Sequence, residues 1–215
     1  MEKNNPLYKN QGIHLITSIF TVEEGILKVL LIKRNNEPFK DKWALVGGAL
    51  YNNELVEDGV KREIIEKTGI KDINLYFSSI VSDVTRSPIM RMVALTYVGL
   101  VDYKKLSLLK ETLKTTDCDW FTINNVPDLA YDHNKIFLKS LDKLKDLIET
   151  TDILKSLFSE EFTIPEIQNV YETILGKELD RRNFRKKLLQ SNLIIETYNY
   201  KNYKGNKPAK LYKFR

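Results

Sequence analysis

The sequence contains a single cysteine, only two histidines and no long apolar run among its 215 residues. With Cys118 as the only cysteine, the chain cannot form an internal disulfide bond, which agrees with a reducing cytoplasm. Residues 1–12 are polar and lack the apolar stretch of a signal peptide. Nowhere do about 18 apolar residues run together, as a membrane-spanning helix requires. We therefore expect a cytoplasmic protein that has no membrane partner.

The charge is distributed unevenly along the chain. Residues 1–150 contain 21 Lys and Arg against 21 Asp and Glu, whereas residues 151–215 contain 13 against 8. From residue 176 onward the count is 12 against 3. The neutral N-terminal part and the basic C-terminal part predict two domains, 1–150 and 151–215, with different partners. The apolar fraction of 42% is enough to give both a core.

Residues 1–150 alternate between strand and helix patterns. Apolar residues at 14–22 and 27–34 predict a β-hairpin, and the segments 73–83, 90–102 and 118–123 predict further strands. Helical spacing at 53–67 and from about 134 to 149 predicts two helices. Cys118 is expected to be buried in its strand, and His133 to cap or pack the second helix. These patterns indicate an α+β domain.

The segment GGALYNNELVEDGVKREIIEKTGI, residues 47–70, carries the most specific motif. Its spacing resembles the Nudix box of the Nudix hydrolase superfamily, G-x5-E-x7-R-E-U-x-E-E-x-G-U, where U is aliphatic. Every fixed position matches except that Lys67 replaces the last glutamate. Positions 63, 66 and 67 fall on one face of a helix. In active members the three carboxylates there hold hard divalent ions, usually Mg²⁺.

Lys67 changes the chemistry of this motif. An ammonium group cannot coordinate a metal, and at i, i+4 it can pair with Glu63. We therefore predict no catalytic residues, weak metal binding at best through Glu63 and Glu66, and no required cofactor. Mg²⁺ is expected only if hydrolase activity remains. The alternative for Glu63 and Glu66 is a solvated helix face.

The resemblance also places candidate ligand contacts outside the box helix. Arginine can grip a phosphate with two hydrogen bonds, tryptophan can stack on a base or sugar, and glycine lets the backbone approach phosphates. An equal alternative for the tryptophan is packing in the core. An equal alternative for each arginine is an ordinary position on the surface. The candidates are Arg34, Trp43, Gly47, Gly48, Arg86 and Arg91.

The last 60 residues predict a helix, a basic helix and a basic hairpin. Thr163 and Asp180 are candidate N-caps, and Phe184, Leu188 and Leu189 are expected to form the buried face of the second helix. Strand patterns at 193–200 and 209–215 flank a basic turn. This outline is that of a winged helix, for which we favour DNA binding over a merely solvated face. The predicted DNA contacts are Arg181, Arg182, Asn183, Arg185, Lys186, Lys187, Lys204, Lys207 and Lys210.

Together the two halves resemble the Nudix-related transcriptional regulators, which include repressors of NAD biosynthesis and regulators of sugar use. The resemblance implies an α+β Nudix fold, with a mixed β-sheet between helices, followed by a small α/β winged-helix domain. It implies a homodimer that binds a double-stranded DNA operator and whose Nudix domain has lost catalysis. That domain would sense a sugar, a phosphosugar or an ADP-ribose-like metabolite. Two alternatives stay open: a Mg²⁺-dependent hydrolase of ADP-ribose or nucleoside diphosphate sugars, and an RNA-binding protein.

Overall fold

A seven-stranded mixed sheet forms the frame of the first 150 residues. The computed structural model describes residues 5, 7, 9–158, 160–202 and 208–215. The strand order is β3-β2-β1-β6-β5, with β4 paired to β1 and β7 paired to β2. Strands β1 and β6 run parallel, and the other pairs are antiparallel. The strands are β1 Gly12–Glu23, β2 Ile26–Arg34, β3 Trp43–Ala44, β4 Val46–Ala49, β5 Leu75–Val81, β6 Met92–Leu100 and β7 Thr115–Thr122.

One helix covers each face of this sheet: α1, Val56–Thr68, and α2, His133–Thr150. Side chains of a strand alternate between faces, and β1 shows this directly. Leu15 and Ile19 belong to the core that includes α1, whereas Ile16 and Phe20 belong to the core that includes α2. The predicted mixed sheet between helices is therefore confirmed, with the helix ends shifted by one to three residues.

The last 60 residues form two helices and a hairpin: α3 Ile164–Leu175, α4 Arg181–Gln190, β8 Ile194–Lys201 and β9 Ala209–Phe214. Thr163 caps α3 in a reciprocal capping box with Glu166, and the Asp180 carboxylate accepts from the Asn183 N–H at the start of α4. Both predicted caps are confirmed. Leu189, however, is 42% exposed, so placing it on the buried face of α4 was wrong.

The two halves pack against each other through the end of α2. Leu144 and Leu147 of α2 share one buried cluster with Ile167 of α3 and Phe184 of α4. Nearby, the Tyr171 hydroxyl donates a 2.6 Å hydrogen bond to a carbonyl of α2. The domain division at residues 150 and 151 stays a prediction, because this core is continuous across it. No described helix is long and apolar enough to cross a membrane.

Candidate functional site

Helix α1 carries Glu63, Glu66 and Lys67 on one face, as their spacing predicts. The helix spans Val56–Thr68 and is capped by Gly69, whose φ of 78° lies in the left-handed region that favours glycine. Gly48 lies opposite this face. A Cβ atom at that position would approach the Glu63 carboxylate to 2.3 Å, so any side chain there would displace this carboxylate from its place in the site.

Lys67 lies inside the site rather than on the surface, with 7% of its area exposed. Its Nζ is 2.9 Å from Oε2 of Glu63 and donates to the Gly47 carbonyl. The predicted ion pair between residues 63 and 67 is therefore present. Burial acts to raise the pKa of Glu63, but Lys67 and Arg62 beside it hold that pKa below its ordinary value. Glu63 is thus an ionised partner of Lys67.

Two further cations neutralise the remaining carboxylates of the motif. Arg62 pairs with Glu54 at 2.7 Å and also donates to Glu63. Lys114, from the loop before β7, lies 2.6 Å from Glu66. Three carboxylates therefore face three cations once Lys67 is included. Sequence reasoning did not identify Lys114, because nothing in the chain pattern links it to a helix 48 residues earlier.

These residues do not fit a magnesium ion. In the part of the chain that the structure describes, no group of three or more His, Cys, Asp or Glu is placed to hold a metal. The ammonium of Lys67 lies where Glu63 and the Gly47 carbonyl converge, and an ammonium offers no lone pair. The absence of catalysis and of a required cofactor stays a prediction, to be tested by assay.

A cavity of about 260 Å³ opens beside the box. It brings together four residues that sequence reasoning had singled out, namely Arg34, Gly47, Gly48 and Lys67. Arg34 is held by hydrogen bonds from its guanidinium to the Pro38 and Asn36 carbonyls. The other lining residues are His14, Ala49, Ser87, Ile89, Met90, Met92 and Tyr131.

Both histidines of the chain lie at this site, with ring centroids 5.9 Å apart. Burial, with the nearby charges of Arg86 and Lys67, lowers the pKa of His14 to about 3. Burial also lowers the pKa of His133 well below its ordinary value. Nδ1 of His133 accepts the Leu45 N–H at 3.1 Å, so the expected packing role is confirmed. Both rings are therefore neutral at pH 7, and His14 is one of the residues that line the small cavity.

A second cavity, of about 750 Å³, is also lined by Tyr131. Here Arg86 forms a bidentate ion pair with Asp132, with Nε and Nη2 at 3.0 and 2.9 Å from the carboxylate oxygens. The remaining lining residues include Phe39, Thr85, Pro88 and the α2 residues Lys135, Ile136 and Lys139. Arg86, a predicted ligand contact, therefore lines a different cavity from Arg34.

Trp43 and Arg91 are not among the described residues that line either cavity. The Trp43 ring packs edge-on against Phe121, with centroids 4.7 Å apart. The Arg91 guanidinium donates a 2.9 Å hydrogen bond to the Asp83 carbonyl, and this bond links the two ends of the segment between β5 and β6. The structure thus gives Trp43 the packing role that was its alternative. A ligand contact by either residue stays a prediction.

The basic surface of α4 is exposed to solvent. Each of its predicted DNA contacts at 181, 182, 183, 185, 186 and 187 is exposed. Within the described chain, Arg181, Arg182 and Lys186 form no ion pair within 4 Å. Lys187 instead reaches toward Glu149 of α2, with the charged atoms 3.4 Å apart. Three adjacent cations of α4 are therefore placed to meet an anionic partner.

The hairpin supplies a smaller part of the predicted surface. Lys210 pairs with Glu196 across β8 and β9 at 2.7 Å, so its charge is already balanced within the hairpin. Lys204 and Lys207, the other two predicted contacts, lie outside the described residues. The structure describes the two strands of the wing but not its turn.

Two family models match this chain, and together they cover most of it. The NUDIX domain matches residues 13–141, and the NrtR DNA-binding winged helix domain matches residues 154–214. The ADPR responsive transcriptional repressor NtrR of Acinetobacter baylyi is 32% identical over 201 residues, which is 92% of this chain and 79% of that protein.

Solved structures show the same arrangement. Shewanella oneidensis NrtR complexed with a 27mer DNA superposes with a TM-score of 0.78 at 27% identity, covering 94% of this chain and 93% of that one. The NUDIX domain of Shewanella oneidensis NrtR complexed with ADP ribose gives a TM-score of 0.60 at 27% identity, over 65% of this chain and 93% of that one. The chain therefore belongs to the Nudix-related transcriptional regulators, in which a NUDIX domain is followed by an NrtR-type winged helix domain.

Proposed function

We propose that this protein is a DNA-binding transcriptional repressor that responds to ADP-ribose, and that its Nudix domain senses this metabolite without hydrolysing it. The observation that carries the proposal is the position of Lys67. Its ammonium neutralises Glu63 and approaches the Gly47 carbonyl in the motif that would otherwise hold metal ions. A site with its own cation can receive a diphosphate without Mg²⁺.

ADP-ribose is the effector that the relatives favour. The Acinetobacter protein is a repressor described as responsive to this molecule, and the Shewanella NUDIX domain binds it. The small cavity offers Arg34 and Lys67 to phosphate oxygens, and His14 to sugar hydroxyls. A free sugar or phosphosugar would use only part of this site, which makes both useful comparators.

DNA is the proposed partner of helix α4. Arg181, Arg182 and Lys186 are exposed, and phosphate contacts from such cations give most of the affinity for duplex DNA. We further propose a cytoplasmic homodimer. Its two α4 helices would enter successive major grooves about 34 Å apart, as two-fold regulators of this kind do.

Helix α2 provides a direct route from the cavities to the winged helix. Its N-cap residue Asp132 and the first-turn residues Lys135 and Ile136 form a wall of the large cavity. Its other end holds Tyr171 of α3 by a hydrogen bond and lies beside Lys187 of α4. A ligand that displaces the start of α2 would therefore move the surface of α2 on which α3 and α4 pack. Such a movement is the coupling that a ligand-responsive repressor requires.

The DNA part of the proposal is tested by fluorescence anisotropy on a duplex recovered by genomic footprinting with the full-length protein. The double variant Arg182→Ala, Lys186→Ala removes two exposed cations of α4. We expect weaker binding and a salt slope reduced by about one unit per lost phosphate contact. The double variant Lys61→Ala, Lys71→Ala removes the same charge from the NUDIX domain and serves as the control. Equal DNA affinity in both variants would reject α4 as the DNA surface. A preference for RNA over duplex DNA would reject DNA as the partner.

The sensing part is tested by adding ADP-ribose, ribose 5-phosphate or free ribose to the protein–DNA complex, with and without Mg²⁺. We expect only ADP-ribose to change DNA affinity strongly, by roughly 5- to 150-fold, and to do so without metal. A phosphate-release assay run alongside should show no metal-dependent turnover. Rapid hydrolysis of ADP-ribose would instead establish the hydrolase alternative.

A further inference from the structure

We propose that Tyr198, in the hairpin of the winged helix, is a DNA-contact residue whose ring packs on the sugar–phosphate backbone of the duplex. The inference rests on the proposed DNA binding and adds a non-ionic contact to it. It concerns the middle of strand β8, which lies outside the basic surface of α4. Its evidence is the ladder, the backbone and the neighbours of this one residue.

A large bulge interrupts the ladder between β8 and β9. Glu196 pairs with Tyr212 and Tyr200 pairs with Lys210, so three residues of β8 lie opposite Leu211 alone. The three are Thr197, Tyr198 and Asn199. Extra residues in one strand bend it and change the direction of a side chain, and such bulges are common beside functional sites. The bulge therefore marks this part of the hairpin as a candidate contact surface.

Tyr198 occupies the middle of the bulge in an unfavourable conformation. Its φ is 63°, in the left-handed region that bulky residues rarely adopt and that glycine adopts freely. The side chain has little packing to offset this strain, because 83% of the residue is exposed. A tyrosine at this position therefore lowers the stability of the free protein. Strain of this kind is concentrated at sites that bind ligands or partners.

The two residues that flank Tyr198 hold the bulge in place. The Thr197 hydroxyl donates to the Leu211 carbonyl at 3.2 Å, across to the other strand. The Asn199 side-chain amide donates to the Glu161 carboxylate at 2.8 Å, in the segment before α3. Because both neighbours are fixed by hydrogen bonds, the backbone of Tyr198 is held in its strained conformation by the fold around it.

The bulge lies beside both helices of the DNA-binding unit. Shortly after it in β8, Lys201 pairs with Glu166 in the first turn of α3. From the facing strand, the Tyr212 hydroxyl accepts a 3.5 Å hydrogen bond from Arg185 of α4. In a helix-turn-helix the second helix enters the major groove and the first crosses the backbone. Tyr198 is therefore placed near the phosphate backbone that borders this groove.

The contact that the bulge offers is not ionic. On its two sides, Lys201 pairs with Glu166 and Lys210 pairs with Glu196. The phenol ring of Tyr198 instead presents apolar area to a deoxyribose and a hydroxyl donor to a phosphate. Such contacts position a protein on the duplex but release no counterions. The affinity that Tyr198 contributes is therefore independent of salt, in contrast to that of the α4 cations.

The test measures duplex affinity at several salt concentrations and thermal unfolding, in the full-length protein with the footprinted duplex as the probe. Tyr198→Gly removes the ring and suits the left-handed backbone. Asn192→Gly is the matched control, because Asn192 has a φ of 60° in the same domain, after the last turn of α4. Tyr198→Phe keeps the ring without its hydroxyl. The α4 variant Arg182→Ala, Lys186→Ala reports separately on the ionic surface.

We expect Tyr198→Gly to bind the duplex roughly 5- to 30-fold more weakly, with an unchanged salt slope. Its Tm should rise by about 2–4 °C, because the backbone strain is relieved. Tyr198→Phe should stay within about threefold of the native affinity, since only one hydrogen bond is lost. Asn192→Gly should leave DNA affinity unchanged.

Unchanged affinity in Tyr198→Gly, or an equal loss in Tyr198→Phe, would refute the ring contact. A lowered Tm in Tyr198→Gly would give the ring a structural role and would also overturn the proposal. If the α4 variant loses affinity but Tyr198→Gly does not, DNA binding by α4 stands and the Tyr198 contact fails. If only Tyr198→Gly loses affinity, the contact stands and α4 fails as the DNA surface.

Discussion

Replacing Tyr171 by phenylalanine should separate ligand sensing from DNA binding. Its hydroxyl donates to the Ile148 carbonyl at 2.6 Å, in a buried position where α2 meets α3. That carbonyl is among the last four of α2, which have no partner within the helix. Burial and the nearby Glu149 raise the pKa of Tyr171 to about 12, so the hydroxyl remains a donor at any physiological pH.

The size of the effect follows from the burial of this carbonyl. A typical hydrogen bond contributes about 0.5–1.5 kcal/mol to stability, and an unsatisfied buried carbonyl costs about 1–3 kcal/mol. We therefore expect the free energy of unfolding to fall by about 1–2 kcal/mol. For a chain of this size that lowers Tm by roughly 2–8 °C. Allosteric coupling between two sites is typically also about 1–3 kcal/mol, so this one contact can account for much of it.

The assay measures three quantities in each protein: DNA affinity without ligand, ADP-ribose affinity without DNA, and DNA affinity at saturating ADP-ribose. In Tyr171→Phe we expect the first two to stay within about twofold, because the ring still packs on Phe184 at 5.1 Å. The change that ADP-ribose produces in DNA affinity should shrink by roughly 5- to 10-fold. Tyr103→Phe, in the short 3-10 helix Tyr103–Lys105 that follows β6, is the control. Native coupling in Tyr171→Phe, with lowered stability, would refute the route through α2.

Two other perturbations bear on the NUDIX site. Lys67→Glu restores a third carboxylate beside Glu63 and Glu66, so calorimetry should detect tighter Mg²⁺ binding than in the native protein; no gain would mean that Arg62 and Lys114 keep the metal out. His14→Gln should flatten the dependence of stability on pH. The folded-state pKa of His14, about 3, lies below its ordinary value of 6.5, so its contribution is complete above pH 6.5 and is lost progressively as pH falls toward 3. Urea titrations from pH 7 to 4 should show the native protein losing more stability than the variant, and parallel curves would show that His14 is not the group responsible.

The sequence predicted those parts of the molecule that depend on local spacing. The α1 face with Glu63 and Lys67, the cap at Thr163 and the basic surface of α4 each arise from residues a few positions apart, which helix geometry brings together. Leu189 shows the limit of the same reasoning. It follows Leu188 by one residue, and one residue turns a helix by about 100°, so both cannot face one core.

The cavities could not be predicted in this way. Phe39, Tyr131 and His14 lie in three distant segments that only the sheet topology brings together. Their backbone adds a second obstacle, because a φ of 65° at Phe39 contradicts the ordinary preference of a bulky residue. Lys114 is a similar case, since it reaches the box from a loop with no motif of its own.

The charge balance of the box explains how the helix face of this motif can be kept when Lys67 replaces one of its carboxylates. Glu54, Glu63 and Glu66 lie close together, and three carboxylates alone would repel one another. Arg62 bridges two of them, Lys114 meets the third, and Lys67 supplies the charge of a built-in cation. Strand β4, which carries Gly47 and Gly48, is also linked to α1 by the Lys67 contact to the Gly47 carbonyl. In the proposed sensor, ligand affinity is therefore independent of Mg²⁺ concentration, so that DNA binding reports the metabolite alone.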